Sequence, residues 1–177
     1  NPVISGFQKK IGDFLITALS PTNDDHKKLL VNWNASKVIK YSKTTYLTRQ
    51  KNNGDIINKS SIVLLIEKNN KSILLLGDSH TDVVCTALRG KGYSESSPIK
   101  LDLLKLSHHG SKNNIDSTLL NLIDCTAFYL STNGGRHNHP DQETIKLLSQ
   151  KAVKSDTIFN VYLKDFLDEV TAKQIQP

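Results

Sequence analysis

Six side chains able to hold a metal ion or move a proton fall in three short stretches of this chain: Asp78 with His80, His108 with His109, and His137 with His139. Neutral imidazole and carboxylate are the donor set for zinc, manganese or iron, and a carboxylate with two oxygens can bridge a pair of metals. Near neutral pH the same groups act as general acids and bases. Each stretch follows an apolar run. Ser72-Ile73-Leu74-Leu75-Leu76-Gly77 precedes Asp78, and Leu101, Leu103, Leu104 and Leu106 precede Ser107-His108-His109-Gly110-Ser111. A strand over 126–130 closes on Ser131-Thr132-Asn133-Gly134-Gly135 before the last two histidines. Chemistry-bearing residues directly after strands are where α/β sheets present ligands, and glycine there lets the backbone approach closely.

Singly, each residue has an ordinary structural role open to it. Asp78 can cap a helix or a turn. Neighbouring residues point in different directions, so one of His108 and His109 is expected to make a structural hydrogen bond and only one need ligate. His80, beside a helix start, and His26, beside Asp24 and Asp25, read as solvated. His139 is better placed: Pro140 suits the first position of a helix, which would set His139 facing a bound anion at the positive helix end.

The elements that must position these groups follow from hydrophobic period and punctuation. Residues 13–19 read as a buried strand stopped by Ser20-Pro21, after which Asp24 and Asp25 open a lysine-rich helix through Leu29, Leu30 and Val31. Residues 42–59 are polar without a period and read as an exposed excursion. Residues 61–67 and 72–77 form a hairpin across Lys68-Asn69-Asn70-Lys71. A helix capped by Ser79 or Thr81 carries Val83, Val84, Ala87 and Leu88 to Gly90. A strand over 101–106, a helix after Asp116 and Ser117, the strand over 126–130, a helix through Ile145, Leu147 and Leu148, and a strand over 158–163 complete the alternation. From Lys164 to Pro177 the tail is polar. Alternating strands and helices specify an α/β layer architecture in a single segment, 1–177.

The 177 residues carry a net charge of +6, which favours polyanionic partners, nucleic acid among them. Cys85 and Cys125 are far apart in apolar stretches and read as buried thiols, excluding a disulfide framework or a thiolate cluster. No apolar run reaches membrane length and no signal peptide is evident, so a cytoplasmic segment with no membrane contact is expected. The chain begins at Asn1 and holds no methionine, which reads as a segment of a longer polypeptide.

The order of a strand ending in Leu76-Gly77-Asp78, then Leu104-Lys105-Leu106-Ser107-His108-His109-Gly110-Ser111, then a strand and His139-Pro140, resembles the C-terminal half of the metallo-β-lactamase-fold hydrolases. It is most similar there to the hydrolase domain of the ComEC-type DNA-uptake channel proteins. The resemblance runs from roughly Phe14 to Leu148 and implies the C-terminal half of an αββα sandwich. It further implies two divalent metal ions, Zn or Mn, bridged by Asp78, with one of His108 and His109 completing the second metal site. His108, the first of the pair beyond the strand, is favoured. His139 would contact the scissile phosphate or protonate the leaving group, with Ser111, Lys112, Asn133 and His137 as substrate contacts. The family's His-x-His-x-Asp-His motif is absent, and Pro21-Thr22-Asn23-Asp24-Asp25-His26 keeps only its last two residues. The expected partner is therefore a missing N-terminal half carrying the other ligands, and apolar surface left between the halves would promote association with a partner chain or with itself. Three functions follow: part of a metal-dependent phosphodiesterase or nuclease, inactive alone; a non-catalytic interaction or nucleic-acid-binding module of the same fold; and β-lactam or thioester hydrolysis, against which the basic character and the His-His-Gly-Ser block weigh.

Overall fold

The computed structural model describes residues 2–39, 56–125, 127–132, 139–152, 157–160 and 173–174. Two antiparallel ribbons open the main sheet. β1 (Gln8–Ile11) pairs with β2 (Phe14–Ser20), β3 (Val63–Lys68) with β4 (Lys71–Leu75), and β2 joins β3. The β3–β4 turn is Asn69-Asn70 with φ of 48° and 63°, the two left-handed residues that a tight hairpin twist requires. β5 (Ile99–Leu101) precedes β6 (Leu103–Lys105), and β7 (Ile123–Cys125) precedes β8 (Ala127–Leu130). β5 and β7 form a separate parallel pair. β4, β6, β8 and β9 (Thr157–Asn160) run parallel, and β10 (Lys173–Gln174) closes the edge against β9.

α1 (Asn23–Ile39) follows β2 and starts on a reciprocal cap: the Asp25 backbone N–H donates to Thr22 Oγ1 at 3.1 Å, and Thr22 Oγ1–H donates back to the Asp25 carboxylate. It carries the pattern read through Leu29, Leu30 and Val31 on to Ile39. α2 (Thr81–Gly90), α3 (Ser117–Asn121) and α4 (Gln142–Ala152) occupy the crossovers between the parallel strands. All three crossovers advance in one direction across the sheet, so a common right hand puts their helices on one face. Strand register agrees. Leu65, Leu74, Leu104 and Phe128 lie side by side and are buried, and Val84, Leu88, Leu119 and Leu148 of the helices join their core. Ile16, Ile66, Ile73 and Leu103 form the matching row on the opposite face and are only half-buried.

Three expectations change, and one falls mostly outside the described residues. The strand expected over 101–106 is two strands in different sheets. Asp102 lies between them, its carboxylate accepting from the Ser72 backbone N–H at 2.8 Å and Lys71 Nζ at 2.6 Å, which draws the chain from the small sheet to the large one. Of the excursion expected over 42–59, residues 42–55 lie outside the described set, and 56–59 form one helical turn. Pro140 does not begin α4, which starts at Gln142 after Asp141. Neither Ser79 nor Thr81 caps α2; His80 holds that position with no side-chain cap hydrogen bond.

Candidate active site

Three loops at the carboxyl ends of β4, β6 and β8 converge, and tight backbone contacts fix each one. Beyond β4, Gly77 adopts φ +57°, and a Cβ on it would stand 3.1 Å from the Ile62 carbonyl oxygen, so glycine is needed there twice over. The next residue, Asp78, is half-buried, and its backbone N–H donates to Ser61 Oγ at 3.3 Å. Asn114 Nδ2, in a buried side chain, donates to the carbonyls of both Asp78 and Ser79, each at 3.2 Å. The Ser107 hydroxyl donates to the Ser79 carbonyl at 2.6 Å. The loop after β4 is thereby bolted to the segment 107–114.

That segment is strained. His108 and His109 both lie in the left-handed region, at φ 43° and 58°, and Gly110 follows at φ +85°. Each non-glycine residue held there costs on the order of 1 kcal/mol or more, which the surrounding contacts must offset. They include the His108 N–H donating to the Gly77 carbonyl at 3.0 Å and the Ser111 N–H donating to the His108 carbonyl at 3.1 Å. The two imidazoles diverge, with ring centroids 6.2 Å apart and planes at 76°. His108 is half-buried with Nδ1 3.4 Å from Asn58 Nδ2; His109 is exposed, with Nδ1 against the Ser131 carbonyl.

His139 arrives from the far side. Its ring lies 5.8 Å from that of His108 at 70°, and its Nδ1 is 3.5 Å from the Asp141 carboxylate. Asp141 is itself pinned, accepting from the Lys112 N–H at 2.8 Å while its own N–H donates to the Gly110 carbonyl at 3.2 Å. Gly110 makes this seating possible, since a Cβ there would fall 2.7 Å from Leu130 Cδ2 and 2.8 Å from Pro140 Cβ. The helix end expected to face a bound anion thus has Asp141 beside it, a carboxylate of the chain's own.

The other expected site residues are placed as follows. Ser111 is buried and its hydroxyl accepts from the Asn113 N–H at 3.3 Å, a local turn contact. Lys112 is exposed and paired with Glu143 at 2.6 Å, which raises the pKa of its amine. Asn133 and His137 lie outside the described residues. Lys105, not singled out from sequence, is half-buried one strand from Asp78. Burial lowers its pKa from the ordinary 10.5, and the negative charge of Asp78 draws it back up. Asn58, Asn114 and Asp141 were also not legible as site residues: two asparagines in polar runs and an aspartate at a helix start carry no pattern that distinguishes them from turn formers.

Among the described residues no group of three or more His, Cys, Asp or Glu side chains could hold a metal ion. Asp78, His108, His109 and His139 therefore do not by themselves fit a zinc or manganese cage. The Nδ1 atoms of His108 and His109 each lie against a neighbour, Asn58 Nδ2 and the Ser131 carbonyl, and the His139 ring stands beside the Asp141 carboxylate.

No protein-family model matches the chain. Over 102 residues, 55% of the chain, it is 30% identical to ComE operon protein 3 of Bacillus subtilis (strain 168), so a partial sequence relationship is present. The matched stretch spans 12% of that relative's length. A solved structure described as hydrolase AbOPH in the beta lactamase superfamily overlaps 85% of this chain and 55% of its own, at 15% identity and a TM-score of 0.35. An overlap at that score defines no common fold. No helix among the described residues is long and apolar enough to cross a membrane.

Proposed function

We propose that this chain supplies one wall of the catalytic site of a metallo-β-lactamase-like hydrolase acting on phosphodiesters. The observation that carries the reading is the meeting of His108 and His139, ring to ring at 5.8 Å, beside the loop that presents Asp78, all at the carboxyl ends of adjacent parallel strands. The partial relationship to ComE operon protein 3 and the +6 charge support it.

In this reading His139 is the proton donor to the leaving oxygen, and Asp141 is its positioning residue. Asp78 and one histidine of the pair are the ligands this chain would offer a divalent centre, whose other donors would come from outside the described residues. The incomplete donor set equally suits a nucleic-acid-binding module without catalysis, and one assay separates the two. Hydrolysis of bis(p-nitrophenyl) phosphate and of single-stranded DNA, with Mn or Zn supplied, is measured on the full polypeptide that carries this chain. His139→Ala should lower turnover by roughly 100-fold or more, the usual weight of a general acid. Turnover absent from the wild type, or unchanged in His139→Ala, with DNA binding retained, would establish the module instead.

A further inference from the structure

One half-buried cation on the sheet face away from the helices lacks a counter-charge in contact with it. Lys105 ends β6, and side chains two apart on a strand share a face, so it stands with Leu103 on that side. Strand register sets Leu75 on one flank and Tyr129 on the other, both half-buried like Lys105 itself. Among the described residues its one polar contact is Nζ donating to the Leu106 carbonyl at 3.4 Å. An ammonium carries three N–H groups, so two remain. Lys68 and Lys71, on the same face by register, are each paired, with Asp13 at 3.4 Å and Asp102 at 2.6 Å. Lys105 has only the charge of Asp78 acting on it, without ion-pair contact.

Taking a charge out of water without a partner is unfavourable, and a methionine would fill the same space without that cost. The lysine also stands on the frame of the candidate site. Three residues beyond Leu75 the chain reaches Asp78, three beyond Lys105 it reaches His108, and two beyond Tyr129 comes Ser131, against which His109 rests. We propose that Lys105 contacts the substrate, its two remaining N–H groups holding a non-bridging oxygen of a phosphodiester laid over the carboxyl ends of β4, β6 and β8. The counter-charge that the chain does not place in contact with Lys105 is then the substrate's own. This rests on the site reading proposed above and deepens it by naming a group that touches the substrate. The balance at Lys105 agrees: burial disfavours the charged amine, and an anion beside it restores that form.

Binding can be read without turnover. A fluorescein-labelled single-stranded oligothymidylate is titrated with the full polypeptide in EDTA at several salt concentrations and followed by fluorescence anisotropy. Lys105→Met keeps the apolar stem and removes the charge. It should weaken binding by about tenfold or more, the weight of one hydrogen bond to a charged group, and lower the slope of log affinity against log salt by about 0.7, one phosphate contact on a single strand. Lys105→Arg should restore most of both. Lys9→Met, an exposed lysine on the far edge strand β1, controls for net charge and should bind as wild type does. No binding by the wild type, undiminished binding by Lys105→Met, failure of Lys105→Arg to restore it, or an equal loss in Lys9→Met would each overturn the proposal. So would displacement of the strand by inorganic phosphate at an equal concentration of phosphate groups, which would give the position to free phosphate. A polypeptide that binds as expected yet hydrolyses no phosphodiester would retire the hydrolase reading and leave Lys105 as the phosphodiester contact.

Discussion

Replacing Gly110 by alanine tests whether the His139 loop is truly seated against the histidine pair. The new Cβ would lie 2.7 Å from Leu130 Cδ2 and 2.8 Å from Pro140 Cβ, with Pro140 Cα at 3.4 Å, so both neighbours must move. Leu130 is fully buried and offers no solvent to move into. Two costs add. A left-handed backbone at φ +85° costs an alanine roughly 1–2 kcal/mol, and forcing a methyl group into a packed contact costs roughly 1–3 kcal/mol. The sum is about 2–5 kcal/mol, or a fall in Tm of roughly 4–20 °C for a chain of this size. Urea and thermal unfolding by circular dichroism would measure it. Gly90→Ala is the control: nothing lies within 4 Å of its Cβ, and at the end of α2 it should be neutral or stabilising. A Gly110→Ala protein within about 0.5 kcal/mol of wild type, the range of a surface substitution, would show that Pro140 does not rest on Gly110.

Two further outcomes are expected. Asp116 caps α3 by accepting from the Leu119 N–H at 2.9 Å, so Asp116→Ala should cost about 1 kcal/mol in urea unfolding; no loss would mean that the cap is not formed. Because the fold lowers the pKa of Lys105 below its ordinary 10.5, the unfolded chain binds more protons over that interval. The Lys105 contribution to stability therefore rises as pH climbs through its folded pKa towards 10.5, and Lys105→Met should remove that rise and leave the protein more stable at neutral pH; a less stable Lys105→Met variant would contradict it.

Much of the frame was legible because it rests on local signals. Asn69-Asn70 between two apolar runs defines a hairpin, and the apolar stripe ending at Gly90 defines a helix. The placement of Asp78, His108 and His139 on one edge follows from strands alternating with helices. What stayed hidden depends on contacts distant in sequence. β1, Gln8–Ile11, is exposed throughout and has no hydrophobic signal; only pairing with β2 makes it a strand. Asp102 divides a continuous apolar run by reaching back to Ser72. Asn58 lies 50 residues before the histidine it touches, in a stretch whose composition reads as loop.

The convergence of the site on three consecutive parallel strands also governs when it exists. The β1–β2 and β3–β4 ribbons join near neighbours and can form as local units, whereas each parallel pairing from β4 to β8 must first close a crossover loop around a helix. Asp78, His108 and His139 are brought together only by those late closures. Assembly of the candidate site is thus a report on completed folding, and a chain arrested at the ribbon stage would hold nearly all of its antiparallel structure with Asp78, His108 and His139 still apart.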